Sequence, residues 1–589
     1  MDARVGNPGT ETGTEPAVVL DGISIDFLTS KGVVHAVSKL SMRVPKGKRV
    51  GFIGESGSGK TTTALAIMRL LAGTGRVSEG SITMGETDML ALSDKEMRSA
   101  RLRRVAYIPQ GAMNSLNPIM RIEDQLHDAI LTHEPKTKKA DLKRRSDEAL
   151  ESVGLPARTG RLYPHELSGG MKQRVCIAMG VILSPELIIA DEPTSALDVV
   201  TQKHVMQTLK DVQARVGAGL ILIGHDMGLM AQSVDELAVL KDGELVEMGT
   251  VRQIIEAPKH PYTKRLISSV PLVGGPSFLD PSGATPAGYK SEHPLLEFEN
   301  VTKRYGDVTA LHPLSFALDG EVPKIISVVG QSGSGKSTMG GIMLGFNPPS
   351  EGTVRFEGKD VNRLGAAEKL EFRKKVQAVF QDPYACFNPF YRVERALRYP
   401  FKRFGMAGDV EAKMHEACEA VGLDPDLILR RYPHELSGGQ RQRLIVARAL
   451  MLSPKLLIAD EPVSMVDASL RATILKNIYD LKDRYGISIV YITHDLATAY
   501  HVSDHVMVLY HGRVVEAGPP KQVIGDPQHP YTRLLIESIP WPDLDRAWGQ
   551  SDAVEDAARL EAIERETGMV DRGQVPGFRL AAGAAGVPA

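Results

Sequence analysis

The octapeptide YPHELSGG occurs twice in this chain of 589 residues, beginning at positions 163 and 432, and this repeat constrains the fold more than any other feature. The offset is 269 residues (432 minus 163), and eight consecutive identities are far beyond chance. The same offset joins Asp191 to Asp460 and His225 to His494. Solenoid repeats are much shorter than this period, so we interpret the chain as two copies of one domain.

The segment between the copies has the composition of a linker. Residues 273–294 are rich in Gly, Pro and Ser and show little apolar periodicity. We therefore expect a first domain over residues 17–272 and a second over residues 295–540. Residues 1–16, rich in Gly, Thr and Glu, are predicted to be disordered, and residues 541–589, which end in Gly, Ala and Pro, to form a mobile tail.

Composition and charge exclude several classes of protein. No apolar run approaches the 18 residues that a membrane-spanning helix needs, so we expect a soluble, cytoplasmic chain that reaches a membrane only through partners. The 70 basic and 72 acidic residues nearly cancel, which argues against a nucleic-acid partner. Cys176, Cys386 and Cys418 lack CxxC spacing, so neither a disulfide framework nor a zinc site is predicted.

Each copy contains a glycine-rich loop between an apolar run and a helical pattern. The loops read GESGSGKT at residues 54–61 and GQSGSGKS at residues 330–337, and both fit the P-loop spacing. The apolar runs before them, Arg49–Ile53 and Ile325–Val329, and later ones such as Leu187–Ala190 predict the buried parallel strands of an α/β domain.

The chemistry of a P-loop explains its composition. Glycines let backbone N–H groups surround phosphate oxygens, the lysine neutralises the β- and γ-phosphates, and the following hydroxyl, Thr61 or Ser337, binds Mg²⁺. A P-loop alone does not distinguish a kinase, a GTPase and a helicase. The candidate ATP-binding residues of the two loops are Gly54, Ser56, Gly57, Gly59, Lys60, Thr61 and Thr62, and Gly330, Ser332, Gly333, Gly335, Lys336, Ser337 and Thr338.

The downstream motifs resemble those of the ATP-binding-cassette (ABC) family. LSGG at residues 167–170 and 436–439 is that family's signature, and LIIADEP and LLIADEP resemble its Walker B strand. The resemblance covers residues 18–272 and 295–540. It implies two tandem P-loop NTPase domains of the α/β class, each with a RecA-like core, a helical subdomain and an antiparallel β subdomain.

The resemblance also implies roles for the acidic, histidine and glutamine side chains. Glu192 and Glu461 would be general bases toward the attacking water, and His225 and His494 would be switch histidines that contact the γ-phosphate. The implied Mg²⁺ ligands, besides the P-loop hydroxyls, are the Walker B aspartates and the Q-loop glutamines: Asp191, Asp460, Gln110 and Gln381.

The resemblance also implies ATP sites built from both halves. In a head-to-tail arrangement, Lys60 and Glu192 would share ATP with the second signature, and Lys336 and Glu461 with the first. The signature residues concerned are Ser168, Gly169, Gly170, Ser437, Gly438 and Gly439. The aromatic candidates for stacking on adenine are Phe27 and Tyr305.

Two differences separate the copies. The D-loop reads SALD at residues 195–198 but SMVD at 464–467, where Val463 replaces the Thr194 of the first copy. Met171 follows the first signature and Gln440 the second. Neither change removes a P-loop lysine, a Walker B glutamate or a switch histidine, so we expect two hydrolytic sites and leave their relative rates open.

Further motifs narrow the subfamily. SLNP at 115–118, FNP at 387–389 and HPYT at 260–263 and 529–532 together resemble the ATPases of oligopeptide, dipeptide and nickel importers. That resemblance implies two transmembrane permease subunits, an extracytoplasmic solute-binding protein and a place on the cytoplasmic face of the inner membrane. Residues 264–294 and 533–589 contain no cysteine, so no iron–sulfur cluster is expected there.

Alternative functions stay open at this stage. Oligopeptides or dipeptides are the favoured substrates, but EPVSMVD at 461–467 is similar to the ATPases of oligosaccharide importers. A tandem cassette without a role in transport would be expected to carry a long charged linker, zinc-binding insertions or a basic face. This chain has a short Gly/Pro linker, three scattered cysteines and no net positive charge, so transport is favoured. A regulatory ATP binder without turnover is disfavoured because both copies keep the glutamate and the histidine.

Overall fold

The computed structural model describes residues 15–29, 32–111, 115–195, 197–268, 292–382, 384–463, 468–546, 548, 556 and 569–581. The predicted disordered segment 1–16 (all but its last two residues), the predicted linker 273–294 (all but its last three) and the second D-loop, 464–467, lie outside these ranges.

The described residues fall into two compact units. The first lies within Met1–Leu197, Thr201–Val270 and Ile539–Gln550, and the second within Asp198–Val200, Pro271–Ser538 and Ser551–Ala589. In the described part of the chain, no helix is both long and apolar enough to cross a membrane.

The first unit contains ten strands and nine α-helices in its described residues. The strands are β1 (Pro16–Thr29), β2 (Gly32–Pro45), β3 (Arg49–Ile53), β4 (Gly75–Met84), β5 (Thr87–Asp88), β6 (Val105–Ile108), β7 (Leu187–Asp191), β8 (Gly219–Gly224), β9 (Glu236–Lys241) and β10 (Glu244–Thr250). The helices are α1 (Lys60–Ile67), α2 (Asp94–Ala100), α3 (Ile122–His133), α4 (Lys139–Ser152), α5 (Gly169–Val181), α6 (Val199–Val216), α7 (Met227–Ser233), α8 (Val251–Glu256) and α9 (Pro261–Ser268).

Two sheets organise the first unit. One is antiparallel, in the order β2-β1-β4-β5. The other has the order β10-β9-β3-β8-β7-β6, and its strands are parallel except at β10. The central strands β7 and β8 are buried along their whole length, as expected for continuous apolar runs covered on both faces. The P-loop follows β3, and the carboxyl ends of β3, β7 and β8 lie side by side, where ligands bind in such sheets.

The helical part of the first unit is built on amphipathic helices. In α3, Ile122, Leu126 and Ile130 recur every four residues and are buried in one hydrophobic cluster with Leu150 of α4 and Val175 of α5. This spacing places them on one face of the helix. The predicted α/β core, helical part and antiparallel sheet are therefore all present in this unit.

Residues following the second copy also belong to the first unit. The side-chain amide of Gln232 in α7 donates to the backbone carbonyl oxygens of Trp541 (3.0 Å), Asp543 (2.8 Å) and Arg546 (3.2 Å). Leu544 and Trp548 pack against the core cluster of this unit. These residues, which we expected to form a mobile tail, therefore pack against the first unit in the structure.

The second unit repeats the plan and adds strands. Its strands are β11 (Leu296–Tyr305), β12 (Val308–Leu318), β13 (Ile325–Val329), β14 (Glu351–Phe356), β15 (Lys359–Asp360), β16 (Val376–Val379), β17 (Leu456–Asp460), β18 (Ser488–Thr493), β19 (His505–Tyr510), β20 (Arg513–Gly518), β21 (Val570–Asp571) and β22 (Phe578–Ala581). Its helices are α10 (Lys336–Met343), α11 (Ala366–Lys375), α12 (Glu394–Arg403), α13 (Val410–Ala420), α14 (Pro425–Ile428), α15 (Gly438–Leu450), α16 (Ala468–Tyr485), α17 (Leu496–Val502), α18 (Pro520–Val523) and α19 (Pro530–Glu537).

The added strands come from the predicted tail. The sheets have the orders β15-β14-β11-β12-β22 and β16-β17-β18-β13-β19-β20-β21, so the tail extends both. β22 pairs antiparallel with β12, and Phe578 is buried against Phe316 (ring centroids 5.8 Å apart) and His505 (4.7 Å). The tail thus covers the edge that β12 would otherwise expose.

Replacing Phe578 with alanine is expected to destabilise the second unit by about 3–5 kcal/mol, because the change leaves a cavity between β22 and Phe316. Both tryptophans, Trp541 and Trp548, lie in the first unit, so their fluorescence reports that unit, while circular dichroism reports both. In urea, Phe578→Ala should shift the dichroism transition and spare the fluorescence transition. Arg579→Ala, at an exposed neighbour, is the matched control, and equal effects of the two variants would contradict a structural role for β22.

Candidate functional site

Both P-loops hold their lysine in the same way. Lys60 Nζ donates to the carbonyl oxygens of Gly54 (2.7 Å) and Glu55 (2.7 Å). In the second unit, Lys336 Nζ donates to the carbonyl oxygen of Gly330 at 2.7 Å and to that of the next residue at 2.6 Å. Both lysines are buried, and burial lowers the pKa of Lys336.

The first glycine of each loop is required by space. A Cβ atom at Gly54 would lie 2.1 Å from the carbonyl oxygen of Leu240, and one at Gly330 would lie 2.2 Å from that of Leu509. The glycine before each lysine, Gly59 or Gly335, has a left-handed φ and caps the following helix. The loops therefore have the backbone shape that the P-loop pattern predicts.

The Walker B aspartates end their strands next to the P-loops. Asp191 closes β7 and is almost completely buried. Burial raises the pKa of Asp191, and hydrogen bonds from Thr61 and Tyr107 only partly offset the rise. In the second unit, Asp460 closes β17, and burial together with the charge of Glu461 raises its pKa as well.

Three side chains lie within hydrogen-bonding distance of Glu192, the Walker B glutamate of the first unit. Its Oε2 accepts hydrogen bonds from Gln110 Nε2 (2.7 Å) and Ser195 Oγ (2.8 Å), and its Oε1 lies 3.1 Å from His225 Nδ1. Burial opposes ionisation of Glu192, but the hydrogen bond and charge of His225 and the bond from Ser195 outweigh it, so the pKa falls to about 2. The structure thus brings the predicted base, Q-loop glutamine and switch histidine together.

The second unit repeats this cluster. Glu461 Oε2 accepts from Gln381 Nε2 at 2.8 Å, and Oε1 lies 2.9 Å from His494 Nδ1. Burial opposes the charged form of His494, but its bond to Glu461 outweighs this effect and raises the histidine pKa. The same partnership lowers the pKa of Glu461 against the effect of burial.

Both glutamates have an unusual backbone. Glu192 and Glu461 have φ of 42° and 48°, in the left-handed region that residues other than glycine rarely adopt. Their N–H groups donate to Ile223 (2.9 Å) and Ile492 (2.8 Å) on the adjacent strands, which holds this conformation in place. Strain of this kind concentrates at functional sites, and both glutamates directly follow the strands that end in the Walker B aspartates.

The signature serines cap the helices that follow them. Ser168 Oγ accepts from the N–H of Met171 at 3.3 Å, and Ser437 Oγ accepts from the N–H of Gln440 at 3.2 Å. Only Gln440 returns the bond, since its side-chain oxygen accepts from the Ser437 N–H at 3.0 Å. The sequence difference at this position therefore gives the second signature a complete capping box.

The two adenine-stacking candidates lie in different environments. Phe27, on β1, is half-buried and packs against the core cluster of the first unit. Tyr305 ends β11 with 48% of its surface exposed, and Lys303 Nζ lies 5.0 Å from its ring centre. The Tyr305 ring is accessible to an adenine ring, whereas most of the Phe27 ring is packed against the hydrophobic core.

The residues around Asp191 suit a magnesium ion. Magnesium prefers hard oxygen ligands, and the hydroxyl of Thr61 and the carboxylate of Asp191 already lie within hydrogen-bonding distance. The Gln110 side chain contacts Glu192, the residue next to Asp191. When bound, the metal would neutralise phosphate charge, and Thr61 and Asp191 would hold it in the first unit.

The strand pairing exposes a difference between the two sites. Tyr107 of β6 lies opposite Ile189 of β7, and Ala378 of β16 lies opposite Ile458 of β17, so the two positions are equivalent. Tyr107 Oη donates to Asp191 Oδ2 at 2.9 Å. Alanine has no such donor, and within the described ranges no side chain hydrogen-bonds to the carboxylate of Asp460.

Sequence reasoning missed Tyr107 and treated Ser195 only as part of a D-loop. The contact of Tyr107 depends on which strand lies beside β7, which no local pattern reveals. An alignment of the two copies at their Q-loops could have drawn attention to the difference between Tyr107 and Ala378.

Comparisons with known proteins agree with this geometry. Residues 37–195 and 311–464 match the family model described as ABC transporter. Residues 246–287 and 515–564 match the model described as oligopeptide/dipeptide transporter, C-terminal region.

Full-length relatives match nearly the whole chain. The glutathione import ATP-binding protein GsiA of Salmonella typhimurium (strain LT2) is 38% identical over 574 residues, covering 91% of each chain. GsiA of Escherichia coli (strain K12) is 37% identical over 567 residues, covering 90% of each. Among solved structures, the cassette MJ0796, a dimer bound to ADP and Pi, is 26% identical and covers 40% of this chain and 98% of its own, with a TM-score of 0.36.

The chain belongs to the ABC transporter family, with two ATP-binding cassettes. Its paired C-terminal regions and its relatives place it among the importer ATPases of the oligopeptide and glutathione type: it is the ATP-hydrolysing motor of such an importer.

Tyr107→Phe should raise the Mg²⁺ concentration needed for half-maximal ATPase activity at the first site by about three- to tenfold, because a buried carboxylate loses a hydrogen-bond donor. The measurement uses a Lys336→Ala background, in which turnover comes from the Lys60 site. Tyr485→Phe, at a partly exposed tyrosine of α16, controls for loss of a phenol hydroxyl. An unchanged Mg²⁺ requirement in Tyr107→Phe would refute the contribution of this bond.

Proposed function

We propose that this chain powers the uptake of short peptides through two permease subunits supplied by an extracytoplasmic binding protein, from the cytoplasmic face of the inner membrane. The observation that carries the peptide substrate class is the pair of matches to the oligopeptide/dipeptide C-terminal region. The relatives named for glutathione import support the same class, since glutathione is a tripeptide. Peptides are therefore preferred to the oligosaccharide alternative.

The proposed permeases would contact exposed aromatic residues in the helical part of the second unit. A cavity of about 480 Å³ there is lined by Tyr391, Tyr399 and Phe404, together with Arg392 and Arg395. Large exposed apolar groups beside positive charge suit a partner helix that presents apolar and acidic side chains. Phe387, which also lines this cavity, lies six residues after the Q-loop glutamine Gln381.

The proposed hydrolytic step begins with the release of the base. In this structure Glu192 is bonded to Gln110, Ser195 and His225, and a carboxylate with a pKa of about 2 is a poor proton acceptor. We propose that the γ-phosphate takes over the hydrogen bonds of His225. Glu192 then becomes free to accept a proton from the attacking water.

Each site is proposed to be composite. Lys60, Asp191 and Glu192 would work with Ser437 and the glycines that follow it, as the head-to-tail arrangement of the resembled family implies. This proposal rests on the sequence motifs, and ATP binding would then require both cassettes of the chain at each site. Hydrolysis of ATP at one P-loop would therefore change the contacts made by the signature of the other cassette.

The double variant Lys60→Ala, Lys336→Ala should abolish ATP turnover and peptide uptake, because both loops lose the charge that neutralises phosphate. The assay is uptake of labelled glutathione and of a labelled dipeptide by a deletion strain that carries each version of the gene. Lys95→Ala, Lys369→Ala removes the same charge from exposed positions and should restore uptake fully. Uptake of an oligosaccharide, lost on deletion while peptide uptake persists, would overturn the substrate assignment.

Glu192→Gln should lower hydrolysis at the Lys60 site by about 10²- to 10⁴-fold while ATP still binds, since the amide keeps the shape but cannot accept the proton. Ser437→Arg should disable that same site if the sites are composite. An azido-ATP crosslink, followed by cleavage at a protease site inserted within residues 273–294, shows which half is labelled. Ser168→Arg is the mirror control, and loss of labelling at Lys336 alone in Ser437→Arg would refute composite sites.

A further inference from the structure

The HPYT motif contacts the P-loop in both units. Tyr262 Oη accepts a hydrogen bond from the N–H of Glu55 at 2.9 Å. Tyr531 Oη accepts one from the N–H of Gln331, also at 2.9 Å. Both copies thus make the same contact, which no local sequence pattern requires.

The P-loop residue held by the tyrosine is the residue that holds the lysine. The carbonyl oxygen of Glu55 accepts from Lys60 Nζ at 2.7 Å, and that of Gln331 accepts from Lys336 Nζ at 2.6 Å. Each of these residues is therefore fixed through its N–H by a tyrosine and through its carbonyl by the catalytic lysine. A shift of the tyrosine would change the position of the lysine ammonium group.

The tyrosines are themselves firmly placed. His529 caps α19, and its Nδ1 accepts from the N–H of Tyr531 at 3.2 Å. The buried carboxylate of Glu516, on β20, accepts from the N–H groups of Gln528 and His529, both at 3.0 Å. Tyr531 is fully buried and packs on Tyr510, with ring centres 4.3 Å apart.

The first unit repeats this support. The carboxylate of Glu247, on β10, accepts from the N–H groups of Lys259 (2.8 Å) and His260 (3.0 Å). His260 Nδ1 accepts from the N–H of Tyr262 at 3.2 Å. A glutamate, a histidine and a tyrosine at matched positions thus connect β10 and β20 to the P-loops of their units.

We propose that Tyr262 and Tyr531 are positioning residues for ATP binding: each hydroxyl holds its P-loop in the shape that presents the lysine to the triphosphate before nucleotide arrives. The inference rests on the proposed role of the P-loops. It gives the C-terminal region of each cassette a part in nucleotide affinity, because a preorganised loop does not have to be ordered when ATP binds.

The test uses the full-length chain in a Lys60→Ala background, in which binding reports the Lys336 site. Tyr531→Phe keeps the buried ring and removes only the hydroxyl. The dissociation constant for fluorescent MANT-ATP should rise about three- to tenfold, as expected for one partly buried N–H left without its acceptor. Hydrogen exchange of the peptide containing Gln331 should quicken in the nucleotide-free protein. Tyr262→Phe in a Lys336→Ala background should behave in the same way.

Tyr491→Phe is the matched control, because Tyr491 is also fully buried in the second unit and its hydroxyl donates to Thr498 Oγ1 at 3.3 Å. It should lower the melting temperature and leave the MANT-ATP affinity within twofold. Unchanged affinity and unchanged P-loop exchange in Tyr531→Phe would overturn the inference. Adding Lys336→Ala to the Lys60→Ala background tests the P-loop assignment separately from the role of the tyrosine. If MANT-ATP still binds as tightly as before, the P-loop assignment itself fails.

Discussion

The hydrogen bonds that converge on the Walker B glutamates hold the site together. Glu192 and Glu461 sit at the ends of their strands, and each carboxylate joins a Q-loop glutamine to the histidine after the neighbouring strand. These bonds exist because the parallel strands bring three carboxyl ends to one edge of the sheet. A carboxylate that accepts several hydrogen bonds is stabilised as an anion, and its oxygens are less available to accept a proton. In this arrangement both carboxylates are therefore held as anions whose oxygens are already engaged by hydrogen-bond donors.

The regular parts of the fold were predictable because their patterns are local. The run Ile325–Val329 was predicted as a buried strand and forms β13 with the same limits, and Leu187–Ala190 forms all but the last residue of β7. The resemblance to the ABC family, not the spacing of the motifs by itself, implied which side chains would share a site. In the described residues, Gln, Glu and His lie together in both copies as the resemblance implied.

The remaining features depend on distant partners. β22 is a strand of four residues whose existence depends on the edge of β12, more than 250 positions earlier in the chain. Its own sequence, rich in glycine and alanine nearby, favours no regular structure. The bond from Tyr107 to Asp191 likewise depends on sheet order. Composition predicted a mobile tail, whereas the structure places Phe578–Ala581 in a strand through pairing with a distant part of the chain.

The two cassettes share a plan but differ in how their strands are completed. The first unit forms both of its sheets from residues up to Thr250, whereas the second needs Phe578–Ala581 to cover β12. During synthesis on the ribosome, 260 residues (578 minus 318) separate the end of β12 from the start of β22, which takes about 13–52 s at a rate of about 5–20 residues per second. Over that interval the edge of β12 has no neighbour and is open to pairing with other nascent chains. Translation speed near the 3′ end of the message, and the chaperones present there, therefore bear on how the β12 sheet of the second cassette is completed, whereas both sheets of the first cassette are complete by Thr250.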